Sequence, residues 1–301
     1  VKKVIIVAIV YVQNVQSMVL TQRYTRHNLV KKYVAGETKE QRKTRKALEQ
    51  AQKSVEVVQN VLQESVDTNY ILCLKHGTKY NAEYVNKLYN MTKRHCTVDY
   101  TFVCLTEDPT NLDPNILVVP LPNNLQGWWC KPYIYSNELG LNGTILYLDL
   151  DIVIASNIDH LFSYEPNSWC TIRDFTRKQR PAWKRYNSSV VRFNTGQLTN
   201  VWKLFKDNNK EIERKYHGDQ DWLYYVTSSS NPAALYPDSW IQSWKWEIRQ
   251  SKDFKPGGTR GNRVLRTVEH ITPPTECCIA VFHGDPNPHN CDDPWVKENW
   301  K

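Results

Sequence analysis

Two carboxylates one residue apart, Asp149 and Asp151, interrupt the apolar run Ile145-Leu-Tyr-Leu-Asp-Leu-Asp-Ile-Val-Ile154. In an extended chain, neighbouring side chains point to opposite faces, while residues i and i+2 share one. The pair can therefore address one point in space where a buried strand stops. Hard divalent cations take oxygen ligands and often leave positions for substrate phosphates. A lone Asp-x-Asp is also a common way to open a turn. The apolar flanks favour the metal reading, because carboxylates are rarely tolerated in such surroundings unless paired or metal-bound.

Other polar groups recur where apolar runs stop. His283 follows Ile279–Phe282 and precedes Gly284. It is a candidate third ligand, since imidazole suits Mn2+ better than Mg2+. The alternative is a satisfied structural histidine. Asp219-Gln220-Asp221, between Gly218 and Trp222, brackets an amide with two carboxylates. Asp is also favoured in the first turn of a helix, and the two readings are compatible. Trp240, Trp244, Trp246 and the basic stretch Arg173–Arg185 lie between these motifs. Aromatic faces that pack on sugars and cations that pair with acidic glycans would explain them. The alternation of Trp244 and Trp246 about Lys245 equally suits a half-buried strand.

The elements that must position these groups alternate in type. Apolar runs at Tyr70–Leu74, Tyr100–Leu105, Ile116–Val119 and Thr144–Leu148 predict strands. Asn81 is placed to cap a helix running to about Lys93, with Tyr84, Val85, Leu88 and Met91 on one face. Lys131–Leu139 and a stretch near Val201–Lys206 predict further helices. This order implies a mostly parallel sheet with helices on both faces. Ligands of such sheets sit at the carboxyl ends of the strands. The turn His76-Gly-Thr-Lys-Tyr80 and the acidic pair would share that edge.

Residues 1–68 have a different character and form an N-terminal helical extension to a catalytic region at 69–301. The apolar run Val4–Val12 follows Lys2 and Lys3, and Gln13, Asn14 and Gln16 interrupt it. It resembles the start of a signal or anchor but is interrupted before the roughly 20 apolar residues that span a bilayer, so a membrane span, peripheral membrane contact and a buried element all stay open. Residues 37–66 predict a long helix, with Leu48, Ala51, Val55, Val58, Leu62 and Ser65 at heptad spacing. That seam fits either a homo-oligomeric coiled coil through 48–66 or a helix packed on its own domain.

The 301 residues are 41% hydrophobic, enough for a real core, and carry a net charge of +8. Acidic partners are favoured, but no nucleic-acid motif accompanies the charge, so nucleic acid is excluded as a partner. The 8 cysteines form no Cys-x-x-Cys pair, which argues against a zinc site. Glycosylation sequons at Asn90, Asn142 and Asn187 matter only in a secretory pathway. Cytoplasmic, membrane-associated and secretory-lumen locations all stay open.

Four motifs occur in the order found in retaining glycosyltransferases of the GT-A fold, and the chain resembles glycosyltransferase family 8 over about Asn69–Trp300. Tyr147-Leu-Asp-Leu-Asp151 resembles that family's Asp-x-Asp. Phe193-Asn-Thr-Gly-Gln197 is similar to its Asn-(Ala/Ser)-Gly-Val segment, and Gly218-Asp-Gln-Asp221 to its Asp-Gln motif. His283-Gly284 resembles the start of its C-terminal His-x-x-Gly-x-x-Lys-Pro-Trp motif.

The resemblance implies a Rossmann-like α/β sheet and a division of roles. Asp149, Asp151 and His283 would bind Mn2+, with Mg2+ as the alternative, and through it the diphosphate of a nucleotide-sugar, UDP favoured. Asn194 and Asp219 would contact the transferred sugar, and Gln220 would face the anomeric carbon. Any nucleophile would be Asp219 or Asp221. Lys131 and Gly284 would lie near the donor. His76, Gly77, Thr78 and Tyr80 would form the nucleotide loop, with Tyr80 stacked on the base. Thr195 and Gln197 depart from the pattern, and Asn287 stands where the family has a phosphate-neutralising Lys. Lys131, Arg260 or Arg263 are the candidates to replace it. The implied activity is metal-dependent, retaining sugar transfer to a glycan or other hydroxyl acceptor. Two alternatives remain: a metal phosphoesterase using Asp149, Asp151, Asp219 and His283, and a degenerate transferase fold acting as a glycan-binding scaffold.

Overall fold

Among the described residues ten strands form two sheets. In chain order they are β1 (Asn69–Lys75), β2 (Thr101–Thr106), β3 (Leu117–Pro120), β4 (Thr144–Leu148), β5 (Ile152–Ile154), β6 (Cys170–Arg173), β7 (Tyr186–Asn194), β8 (Ala234–Leu235), β9 (Ile241–Ser243) and β10 (Ile279–Val281). The large sheet has the order β3-β2-β1-β4-β7-β6-β8, and the small one β5-β10-β9. The computed structural model describes residues 68–122, 124–178, 180–249 and 273–301, together with Arg45. All but Arg45 belong to a compact unit spanning Gln63–Lys301. The apolar segment 4–12, the heptad helix 37–66 apart from Arg45, and the basic loop 252–263 lie outside the described residues.

Within the large sheet β3, β2, β1 and β4 run parallel, β7 is antiparallel to β4 and β6, and β8 is parallel to β6. One reversed strand thus sits in an otherwise parallel sheet, the mostly parallel α/β arrangement expected. Central strands covered on both faces read as near-continuous apolar runs. Accordingly Ile71, Leu72 and Cys73 of β1 are all fully buried. Alternate residues serve two cores: Ile71 and Cys73 face one cluster, Leu72 and Val103 the other.

Helix α1 (Ala82–His95) covers the first face with Tyr84, Val85, Leu88 and Met91, as its spacing predicts. Burying a leucine such as Leu88 contributes roughly 2–3 kcal/mol. Asn81 occupies the N-cap position, but its side chain makes no capping bond. The second face is covered by α2 (Thr199–Lys215), α3 (Asp219–Thr227) and a 3-10 segment, Gly127–Tyr135. Trp129 stacks on Phe205 at 5.5 Å, and Tyr133 meets Trp202 edge-on at 4.9 Å. A last helix, α4 (Pro294–Asn299), packs Trp295 and Val296 into the first core.

Several local expectations are corrected. The predicted helix at Lys131–Leu139 is two 3-10 pieces, Gly127–Tyr135 and Asn137–Leu139, the first containing Pro132, which has no N–H to donate. Trp244–Ile248 is a single π-type turn rather than a strand, begun by Ser243, whose hydroxyl accepts from the Trp246 N–H at 3.1 Å. All eight cysteines are buried free thiols. Among the described residues no helix is long and apolar enough to cross a membrane.

Candidate active site

The chain changes sheets at the acidic pair. β4 ends at Leu148 and β5 begins at Ile152, so Asp149-Leu150-Asp151 is the crossing between the large and small sheets. The crossing is tied on both sides. The Asp149 N–H donates to Ser189 O of β7 at 2.9 Å, and the Phe282 N–H, just beyond β10, donates to Asp151 O at 2.9 Å. Because β7 is reversed, its first residues, Tyr186–Ser189, lie at the edge where β4 ends.

Lys131 is the hub of this edge. Its Nζ lies 2.9 and 3.0 Å from the two carboxylate oxygens of Asp149 and 3.7 Å from Asp219 Oδ2. It also donates to Ser188 Oγ at 3.0 Å and Ser188 O at 3.2 Å. Burial pulls the Lys131 pKa down, but Asp149 and Asp219 outweigh it and hold the ammonium above its ordinary value. Tyr147 OH donates to Asp149 Oδ1 at 2.8 Å. Asp219 accepts from Ser188 Oγ at 2.6 Å, and burial raises its pKa against the opposing pull of Lys131 and Ser188. Two motifs 70 residues apart in sequence are thereby joined through one ammonium.

Asp151 is the less compensated carboxylate. Burial, reinforced by the charge of Asp149, pushes it up to about 7. Tyr80 OH donates to Asp151 Oδ2 at 2.9 Å, which ties the 76–80 turn to the acidic pair. The turn before it is built on Gly77, whose φ of +63° suits glycine. The Gly77 N–H donates to Glu107 Oε1 at 2.6 Å, and His76 Nδ1 lies 3.3 Å from the same oxygen. Thr78 is exposed at the tip.

His283 sits beyond β10, with Phe175 stacked at 5.4 Å and Trp246 edge-on at 4.6 Å. Its Nε2 pairs with Ser243 Oγ at 2.6 Å. Burial, helped by Lys245, pushes its pKa down to about 4, so the ring is neutral, the state a metal ligand needs. Lys245 Nζ donates to His283 O at 3.2 Å, and a β-carbon on Gly284 would meet it at 3.5 Å.

The donor chemistry of Asp149 and Asp151 fits a hard divalent cation, and the raised Asp151 pKa marks negative charge that a cation would relieve. The side chains are not gathered into a ligand set. Among the described residues no three His, Cys, Asp or Glu groups converge closely enough to hold a metal. Asp149 is turned to Lys131, Asp151 to Tyr80, and His283 Nε2 to Ser243.

Other assignments change. Asn194 pairs with Thr144 at the start of β4 and accepts from Thr144 Oγ1 at 2.9 Å. Thr144 is five residues before Asp149 along β4, so Asn194 lies about 16 Å from Asp149 at the opposite edge. The residues that do reach the site from β7 are Asn187 and Ser188. Asn187-Ser-Ser-Val190 matches the Asn-(Ala/Ser)-Gly-Val pattern with Ser189 for the glycine, a signal that the Phe193–Gln197 match obscured. Gln220 is held between Asn187 Nδ2 at 3.5 Å and Asp174 Oδ2 at 3.4 Å. Asp221 occupies the first turn of α3, two residues and about 200° around the helix from Asp219. Trp244 is core: it is 1% exposed, and its Nε1 donates to Asp293 Oδ2 at 2.7 Å. Trp240 packs on His160 at 4.4 Å and Tyr164 at 5.3 Å, away from the acidic pair, while Trp246 touches His283. Lys245 went unrecognised, because a single Lys between two Trp carries no signal in sequence.

The sequence matches no protein-family model and no curated protein. Solved structures are similar in fold. The glycosyltransferase GlyE of Streptococcus pneumoniae TIGR4 aligns with a TM-score of 0.52 at 13% identity, over 77% of this chain and 62% of that one. The galactosyltransferase LgtC, solved in complex with donor and acceptor sugar analogs, aligns at 0.49 and 12% identity, over 76% of this chain and 93% of that one. The bifunctional glycosyltransferase WbbM aligns at 0.48 and 12% identity, over 77% and 51%. The chain thus spans less than two thirds of GlyE and about half of WbbM. The fold is the GT-A-like, Rossmann-type α/β fold.

Proposed function

We propose that this chain is a glycosyltransferase that uses a divalent cation to move a sugar, with retention, from a nucleoside-diphosphate sugar to a hydroxyl acceptor. The observation that carries the proposal is the Lys131 bridge, which draws the Asp149–Asp151 crossing and the Asp219-Gln220 turn to one point. Asp149 and Asp151 would hold the cation, with His283 the neutral imidazole beside them. When bound, that ion stabilises charge on the diphosphate leaving group. Lys245, at His283 and Gly284, takes the place of the phosphate-neutralising Lys absent at Asn287. Asp219, oriented by Ser188 and Lys131, is the carboxylate available as nucleophile. The Gln220 amide, held by Asn187 and Asp174, is positioned beside it.

The test is release of nucleoside diphosphate from a panel of UDP- and GDP-sugars with and without Mn2+, paired with calorimetric Mn2+ binding. Turnover of one donor that needs Mn2+, with both turnover and Mn2+ binding lost in Asp151→Asn, is expected. If no donor binds or turns over in the presence of Mn2+, the proposal fails.

A further inference from the structure

Two sets of surface side chains beside the Gly218–Gln220 turn, an exposed indole and the cations of one loop, have no role in the chemistry above. The first is Trp128, which leaves 61% of its surface exposed. Its indole lies along Gly218, where a β-carbon would meet Cδ1 and Nε1 at 3.6 Å. Gly218 immediately precedes Asp219, so a large bare aromatic face borders the candidate nucleophile.

The second is the loop 174–185, which joins β6 to β7 at the same sheet edge and contacts Gln220 through Asp174. Arg173 and Arg177 are neutralised internally, by Asp238 and by Asp238 with Glu247 respectively. Lys178, Arg180, Lys184 and Arg185 make no ion pair among the described residues. Arg180 and Arg185 lie 5.8 and 5.9 Å from the Trp183 ring. Arg185 also lies 4.6 Å over Tyr224, which is one helical turn along α3 from Gln220. Four like charges on one short loop repel each other, and a bound anion offsets that cost. An exposed indole suits the apolar face of a pyranose ring.

We propose that this rim binds an acceptor saccharide bearing a negative charge, a carboxylate, sulfate or phosphate. Trp128 stacks on the sugar ring, and Lys184 and Arg185 pair with the anionic group. The inference rests on the transferase reading above.

The test is equilibrium binding of the full chain to a glucuronate-bearing disaccharide and to its neutral glucose counterpart, run beside acceptor-free donor turnover. At low salt the anionic disaccharide binds about tenfold tighter, and the difference closes near about 0.5 M salt as the charges are screened. Lys184→Glu with Arg185→Glu abolishes the preference. Trp128→Ala weakens both disaccharides alike, and Trp128→Phe restores binding, which separates stacking from misfolding. Equal binding of the two disaccharides, or a preference that survives charge reversal, overturns the inference. Binding to phosphatidylserine vesicles without saccharide binding also overturns it and reassigns the rim to a membrane surface. Donor turnover without a saccharide preference sinks this inference alone. Absence of both donor binding and donor turnover sinks the transferase reading, and this inference with it.

Discussion

Replacing Lys131 by Met removes the ammonium that bridges Asp149 and Asp219 while keeping most of the side-chain volume. Breaking a buried ion pair from one side costs roughly 3–5 kcal/mol, because the remaining charge is left uncompensated. Here the cost has a ceiling. A stranded carboxylate can escape by taking a proton, and each pKa unit is worth about 1.4 kcal/mol, so that route costs about 4 kcal/mol at pH 7 and about 1.5 kcal/mol at pH 5. Lys131→Met should therefore lose about 3–4 kcal/mol at pH 7 and about 1–2 kcal/mol at pH 5. Urea unfolding at the two pH values measures both, provided the m-value is unchanged. Adding Asp149→Asn to Lys131→Met should recover part of the pH 7 loss, since one of the two stranded carboxylates is gone while Asp219 keeps only its Ser188 partner. A deficit equal at both pH values, or one below about 1 kcal/mol at pH 7, would refute the charge argument and leave only packing.

Three further outcomes are expected. Asp159 accepts from the Thr97 and Val98 N–H groups and the Thr97 hydroxyl; burial opposes ionisation, but these bonds outweigh it and hold the carboxyl below its ordinary pKa. A depressed folded pKa gives stability that is present above the unfolded value near pH 4 and fades as pH falls below it, so Asp159→Asn should be less stable at pH 7 and lose less on acidification, read by thermal melts across about pH 2–7. Leu88→Ala opens a cavity under fully buried α1 packing and should cost about 3 kcal/mol in urea unfolding, without altering Mn2+ binding. Asn187→Ala should reduce donor turnover at least about tenfold by freeing Gln220, whereas Asn194→Ala, at the far edge, should change it less than about threefold.

Much of the frame was legible because its causes are local. The apolar strands β1, β2 and β4 and the stripe of α1 follow from side-chain periodicity, and a parallel sheet puts its ligand edge where those strands end. Asp149 and Asp151 could be placed at that edge on this basis and Asp219 only through the family resemblance; the structure brings all three to Lys131 or its neighbours. Lys131 was expected near the donor, but its link to Asp219 spans elements that share no local pattern.

What the chain order could not decide is direction and register. The Phe193–Gln197 and Asn187–Val190 segments each match the same short pattern in part, and only the reversal of β7 against β4 shows which of them lies beside Asp149. Trp244 and Trp128 are the same residue type, yet one is 1% exposed and the other 61%. Burial is a property of what packs against a side chain, so composition could nominate Trp244 as a sugar platform and pass over Trp128. The partner of His283 was hidden for the same reason: Ser243 reaches it because β9 and β10 lie parallel, a pairing between segments 40 residues apart that no local signal encodes.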